Sequence, residues 1–201
     1  RGSGKLIGAL DAFPAIDLHG RVCVDAGAST GGFTAILLER GAVRVFAIDV
    51  GYGQLAWSLQ QDPRVVVMDR FNVRHLSATD LDQPADLVVA DLSFISLRTV
   101  LPALRASVEP SADFVLMVKP QFEVGRERLG KNGVVRDADV RADAVMGVAR
   151  SAADIGLGCA GIEASPLPGP SGNVEYFLWL RQDSPPMRED DVARAVADGP
   201  Q

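Results

Sequence analysis

The run "FVLMVKPQFEVG" places Lys119 after five apolar residues, 114–118, and directly before Pro120. An amine there is a charge returned to solvent, half of an ion pair, or a group that handles a proton. Four other apolar runs end on a carboxylate, at Asp25, Asp49, Asp69 and Asp91. One charged strand end is ordinary. Five in series suit a crevice that holds a cationic ligand, with a lysine at its edge for base chemistry. An ordinary lysine has a pKa of about 10.4 and takes no proton near neutrality. Desolvation disfavours the ammonium form and nearby carboxylates favour it, so their balance decides whether such an amine is basic enough.

These residues need a frame. Strand-like runs at 22–25, 43–49, 65–69, 86–91, 114–119, 161–164 and 174–180 alternate with helical patterns at 33–40, 54–60, 97–106 and 138–154. A further helix over 4–12 precedes the first strand. That alternation predicts a doubly wound α/β domain, a mostly parallel seven-stranded sheet covered on both faces. Ligands of such sheets sit outside the carboxyl ends of the strands, where the five charges lie. Residues 182–201 break at Pro185-Pro186 and are expected to form a mobile tail or a small docked helix with at most one short amphipathic turn.

The first strand runs into "DAGASTGGFT". Gly27 permits a tight turn, and Gly31 and Gly32 are expected to let backbone approach a ligand at the start of the helix. Ala28 and Ser29 break the dinucleotide pattern, and the loop lacks the G-K-[ST] ending of a nucleoside triphosphate site. Asp25, directly before the loop, repels a pyrophosphate and suits an ammonium group. S-adenosyl-L-methionine carries that group and a sulfonium besides.

"DAGASTGG" resembles the first motif of class I S-adenosylmethionine-dependent methyltransferases. The resemblance implies that Asp25, Gly27, Ala28, Ser29, Thr30, Gly31 and Gly32 contact the cofactor, with Asp91 nearby. Asp49 and Val50 then lie at the ribose, and Asp69, Arg70, Phe71 and Asn72 near the adenine.

The fourth strand, "VVADLSFISL", sits where amino-methylating enzymes carry [N/D/S]-P-P-[F/Y/W]. Asp91 and Phe94 fit that frame, but Leu92 and Ser93 replace the prolines, which weakens a nucleobase N-methyltransferase reading. A ribose hydroxyl needs a base instead. The pattern resembles the FtsJ/RrmJ-type ribose 2′-O-methyltransferases, whose lysine–aspartate–lysine–glutamate set falls on Lys5, Asp91, Lys119 and Glu175. The plainer readings are a solvated helix residue for Lys5 and a cross-strand ion-pair partner for Glu175.

The longer series "RGSGKL…DAGASTGGF…DVGYGQLAW…DLSFISL…VKPQFE…GPSGNVEYF" is similar to the TlyA family. Its members are described as hemolysins and as rRNA methyltransferases acting on cytidines of both ribosomal subunits. The resemblance spans residues 1–181 and implies an N-terminal RNA-binding domain in cis, ahead of this chain. It would make rRNA the partner.

Composition fits these expectations. The net charge is −6 and the pI about 4.9, which argues against gripping RNA by general electrostatics. The most basic stretch, "QFEVGRERLGKNGVVRD", offers Arg126, Arg128, Lys131 and Arg136 as a lip for RNA phosphates, although Glu123 and Glu127 offset its charge. No apolar run approaches the roughly 18 residues of a membrane span, and no signal peptide is evident. A cytoplasmic enzyme without a membrane partner or metal is expected. Cys23 and Cys159 read as buried reduced thiols, and His19 and His75 as surface residues.

Overall fold

A computed structural model describes residues 2–201. Helix α1 (Gly2–Ala12) precedes β1 (Val22–Ala26), α2 (Gly32–Glu39), β2 (Arg44–Ile48), the short α3 (Trp57–Gln60) and β3 (Val65–Met68). The second half holds β4 (Leu87–Ala90), α4 (Leu97–Ser107), β5 (Asp113–Val118), α5 (Ala138–Asp154), β6 (Gly158–Ala164), β7 (Tyr176–Arg181) and α6 (Glu189–Asp198). The seven strands form one sheet in the order β3-β2-β1-β4-β5-β7-β6. Pairing is parallel from β3 to β5, and β7 runs antiparallel to both β5 and β6.

The strand order reverses between β1 and β4, so the crevice for a ligand opens beyond those two carboxyl ends. Successive strand residues face opposite sides of a sheet. Val24, Val88, Phe114, Leu116, Tyr176 and Leu178 pack towards α4, α5 and α6. Cys23, Val89, Val115, Met117 and Phe177 pack with Leu6, Leu10 and Leu37 of α1 and α2. By that alternation Asp25, Asp91, Lys119 and Glu175 all belong to the α1 side, because each continues the odd-numbered row of its strand.

Two expectations need correcting. The helix expected over 54–60 is confined to Trp57–Gln60. Gln54 and Leu55 belong to the preceding loop, where the Leu55 carbonyl accepts a hydrogen bond from Gln60 Nε2. The tail expected to hold at most one turn is a ten-residue helix, α6. Val192 and Val196 lie one turn apart and are buried against the rest of the domain, which is what docks it.

Candidate active site

Geometry at the strand ends begins with two ion pairs, one buried and one partly exposed on its carboxylate side. Lys119 directly follows β5 at 8% exposure. Its Nζ lies 2.6 Å from Asp91 Oδ1 and donates to Ser93 Oγ at 3.2 Å. Parallel pairing of β4 and β5 puts Asp91 and Lys119 on the same edge. Lys5, on the buried face of α1, donates to Glu175 Oε1 at 2.7 Å. Glu175 is fully buried, and its Oε2 has no hydrogen-bond partner among the described residues. Because β7 is antiparallel, the residue before its first, not after its last, reaches this edge: Tyr176 pairs with Val118.

Beside the pairs lies a cavity of about 530 Å³, lined on one side by Gly27, Ser29, Asp49 and Val50, and on others by Phe71, Asn72 and residues 91–95. The Asp49 carboxylate organises its rim. Oδ2 accepts from Ser29 N at 2.7 Å and Oδ1 from Gly51 N at 2.8 Å. Gly27 has a φ of +84°, and a Cβ there would stand 2.2 Å from the Asp91 carbonyl oxygen. Only glycine lets the β1 loop lie against the β4 loop.

Asp25 lies beneath that loop, fully buried. Its Oδ2 accepts from Thr34 Oγ1 at 2.7 Å, while Oδ1 has no partner among the described residues. Burial pushes its pKa up to about 7, with Asp91 and Asp49 adding to the rise and the Thr34 hydrogen bond opposing it. Such a carboxylate is charged most favourably when a cation sits over it.

Other expected contacts fall elsewhere. Gly31 and Gly32 are packed against protein on their Cβ side: a Cβ on Gly31 would meet Leu59 at 2.2 Å, and one on Gly32 would meet Ser3 N at 2.9 Å. Glycine at these positions lets α2 sit against α3 and α1, and neither residue lines the cavity. Ala28 and Thr30 are not among the lining residues, and neither are Asp69 and Arg70; Asp25 does not line the cavity either and lies behind the Gly27 loop. Asp69 accepts from Gly53 N at 3.1 Å, and the Arg70 guanidinium lies 4.3 Å from the Tyr52 ring centroid.

The lip also differs in detail. Arg128 pairs with Asp143 at 2.6 Å, and Arg136 donates to the Lys131 carbonyl at 3.3 Å. Glu123 does not offset the lip charge. Its side chain accepts from Ser96 Oγ at 2.6 Å, from Leu97 N at 2.8 Å and from Arg98 Nε at 3.3 Å, which caps α4. Burial raises the Glu123 pKa against these hydrogen bonds. Asn173, nearly fully buried, accepts from Val135 N at 2.9 Å and donates to Gly133 O at 3.1 Å.

Among the described residues no group of three or more His, Cys, Asp or Glu side chains is placed to hold a metal ion. A larger cavity, about 750 Å³, lies between β6 and α6 and is lined by none of Lys5, Asp25, Asp91, Lys119 and Glu175.

The arrangement has close counterparts. Residues 1–182 match the FtsJ-like methyltransferase family. The chain is 59% identical to the 16S/23S rRNA (cytidine-2′-O)-methyltransferase TlyA of Mycobacterium tuberculosis, covering 100% of this chain and 76% of that protein. The chain belongs to the TlyA branch of the FtsJ-like methyltransferases. A further member, the 23S rRNA (cytidine-2′-O)-methyltransferase TlyA of Campylobacter jejuni, is 33% identical over 82% of this chain and 63% of its own length. A Streptococcus thermophilus structure bearing the name hemolysin superposes with a TM-score of 0.94 at 39% identity, covering 98% of this chain and 72% of that one.

This FtsJ-like domain has the class I methyltransferase architecture, and the residues present fit S-adenosyl-L-methionine. The orphaned Asp25 oxygen suits its cationic end, and Asp49 on the cavity wall suits a diol. One feature escaped the sequence reading. Phe94 is 89% exposed at a left-handed φ of +62°, with its ring 5.0 Å from that of Phe122. A bulky residue held there is strained by about 1 kcal/mol or more. Its only sequence signal was its place in the "DLSF" frame.

Proposed function

We propose that this chain transfers a methyl group from S-adenosyl-L-methionine to the ribose 2′-hydroxyl of cytidines in small- and large-subunit rRNA. The observation that carries the reading is the 2.6 Å contact of Lys119 with Asp91, which itself lines the cavity of about 530 Å³. Identity of 59% to an enzyme named for this reaction supports the substrate.

The bound cofactor supplies an electrophilic methyl group. Lys119 accepts the proton from the 2′-hydroxyl as the oxygen attacks, and the resulting ammonium is met by Asp91 Oδ1. Lys5, held by Glu175, lies on the same face and orients the hydroxyl. Asp25 and Asp49 serve the cofactor, with Ser29, Val50, Phe71 and Asn72 at the cavity wall. The exposed face of Phe94 offers a surface on which an unstacked target base can rest.

RNA phosphates are met by the lip, with Arg126 and Lys131 less engaged within the protein than Arg128. An acidic domain needs help to hold RNA, so an RNA-binding domain in cis, ahead of residue 1, supplies much of the affinity. Residues 1–181 form the methyltransferase domain, and residues 182–201 add the docked C-terminal helix. No helix among the described residues is long and apolar enough to cross a membrane, and the reading places the enzyme in the cytoplasm.

Mass spectrometry of nucleosides digested from methylated rRNA tests the reaction. A methyl group on the cytidine ribose is expected. A methyl on the base would transfer the reading to a nucleobase N-methyltransferase. Lys119→Ala in the full-length protein is expected to abolish transfer while the cofactor still binds.

A further inference from the structure

Lys119 has a second neighbour that the four-residue set does not use. A neutral primary amine offers two N–H donors and one lone pair at the corners of a tetrahedron. Asp91 Oδ1, 2.6 Å away, takes one N–H and leaves the other two corners free to exchange by rotation about Cε–Nζ. Ser93 Oγ, at 3.2 Å from the same nitrogen, takes the second N–H and leaves one corner for the lone pair.

Ser93 is well placed for this. It is exposed at the rim of the cavity. Its loop is clamped to the segment after Lys119 at several points. Phe94 lies against Phe122, and Ser96, Leu97 N and Arg98 all bind the Glu123 carboxylate. The distance between Ser93 and Lys119 is therefore set by the fold. A hydroxyl also accepts without a full negative charge, so it orients the amine without adding a second carboxylate that would hold the proton on it.

We propose that Ser93 is a positioning residue that fixes the direction of the Lys119 lone pair, aiming it at the incoming ribose hydroxyl. The inference rests on the reading of Lys119 as the base and extends it to a residue outside the lysine–aspartate–lysine–glutamate set.

Single-turnover and steady-state kinetics on rRNA in the full-length protein test it, with Ser93→Ala, Ser93→Thr and Lys119→Ala run side by side. Ser93→Ala is expected to lower kcat about five- to tenfold, the population change that one net hydrogen bond makes. KM for RNA and the cofactor Kd should stay at wild-type values. Ser93→Thr, which keeps the hydroxyl, should restore most of the loss. An unchanged kcat for Ser93→Ala would overturn the proposal, as would a loss confined to KM or a threonine variant as slow as alanine. Those results with an inactive Lys119→Ala leave the base assignment standing. A fully active Lys119→Ala overturns both.

Discussion

Lys5 and Glu175 stand 170 residues apart in sequence and 2.7 Å apart in space, in a setting nearly closed to water. A buried ion pair is weak evidence of stability, but breaking one leaves an uncompensated charge. Glu175→Ala is therefore expected to destabilise the protein by about 3–5 kcal/mol in denaturant unfolding. Lys5→Met combined with Glu175→Leu should recover most of that stability and none of the methyl transfer. A double variant that regained activity would remove both residues from the chemistry.

Asp25 is expected to give the proposed cofactor site a pH dependence. Its pKa is raised to about 7, so the folded protein keeps a proton that the unfolded chain has released at lower pH. The sign is that this group's contribution to stability declines as pH rises from the ordinary carboxylate range to about 7. Binding a cation favours the charged form. Cofactor affinity measured by calorimetry should strengthen as pH rises through that value, and Asp25→Asn should flatten the profile. A profile unchanged by the substitution would exclude Asp25 as its source.

Phe94 sets stability against recognition. Phe94→Ala should reduce kcat/KM for rRNA about tenfold, in line with loss of one base-stacking contact, while the cofactor Kd holds. Phe94→Gly should lose the same activity, yet be more stable than the alanine variant by about 1 kcal/mol, because glycine tolerates the left-handed backbone. Equal melting temperatures for the two would argue against strain at this position.

Glu123 joins the loop after β4 to the loop after β5. Glu123→Ala removes the acceptor for Ser96, Leu97 N and Arg98 and should cost about 1–3 kcal/mol. If the clamp also sets the spacing of Asp91 and Lys119, kcat should fall with little change in cofactor affinity. A stable variant with wild-type kcat would confine Glu123 to capping α4.

Strand ends were legible because burial, period and charge agreed along each run. Helix α5 spans the expected 138–154, helped by Asp137, whose side chain accepts from Asp139 N at 2.8 Å. The meeting of Asp91 with Lys119 follows from two parallel strands in register. Contacts set by distant loops were not legible. Asn173 ties down residues 133 and 135 through side-chain bonds that no local pattern announces. Glu123 read as a loop charge because its partners lie about 25 residues earlier. Gly31 and Gly32 have protein where a Cβ would stand, and sequence alone does not announce such a close protein neighbour. Helix α6 was underrated because Pro185-Pro186 breaks the chain ahead of it and its two docking valines act only once the domain is there to receive them.

The position of β7 between β5 and β6 has a consequence for biosynthesis. β6 leaves the ribosome before β7 but has no sheet edge to join until β7 is in place. The two strands can enter together as an antiparallel hairpin against β5. Glu175 arrives with that hairpin, so Lys5 gains its carboxylate partner only when β7 closes the sheet.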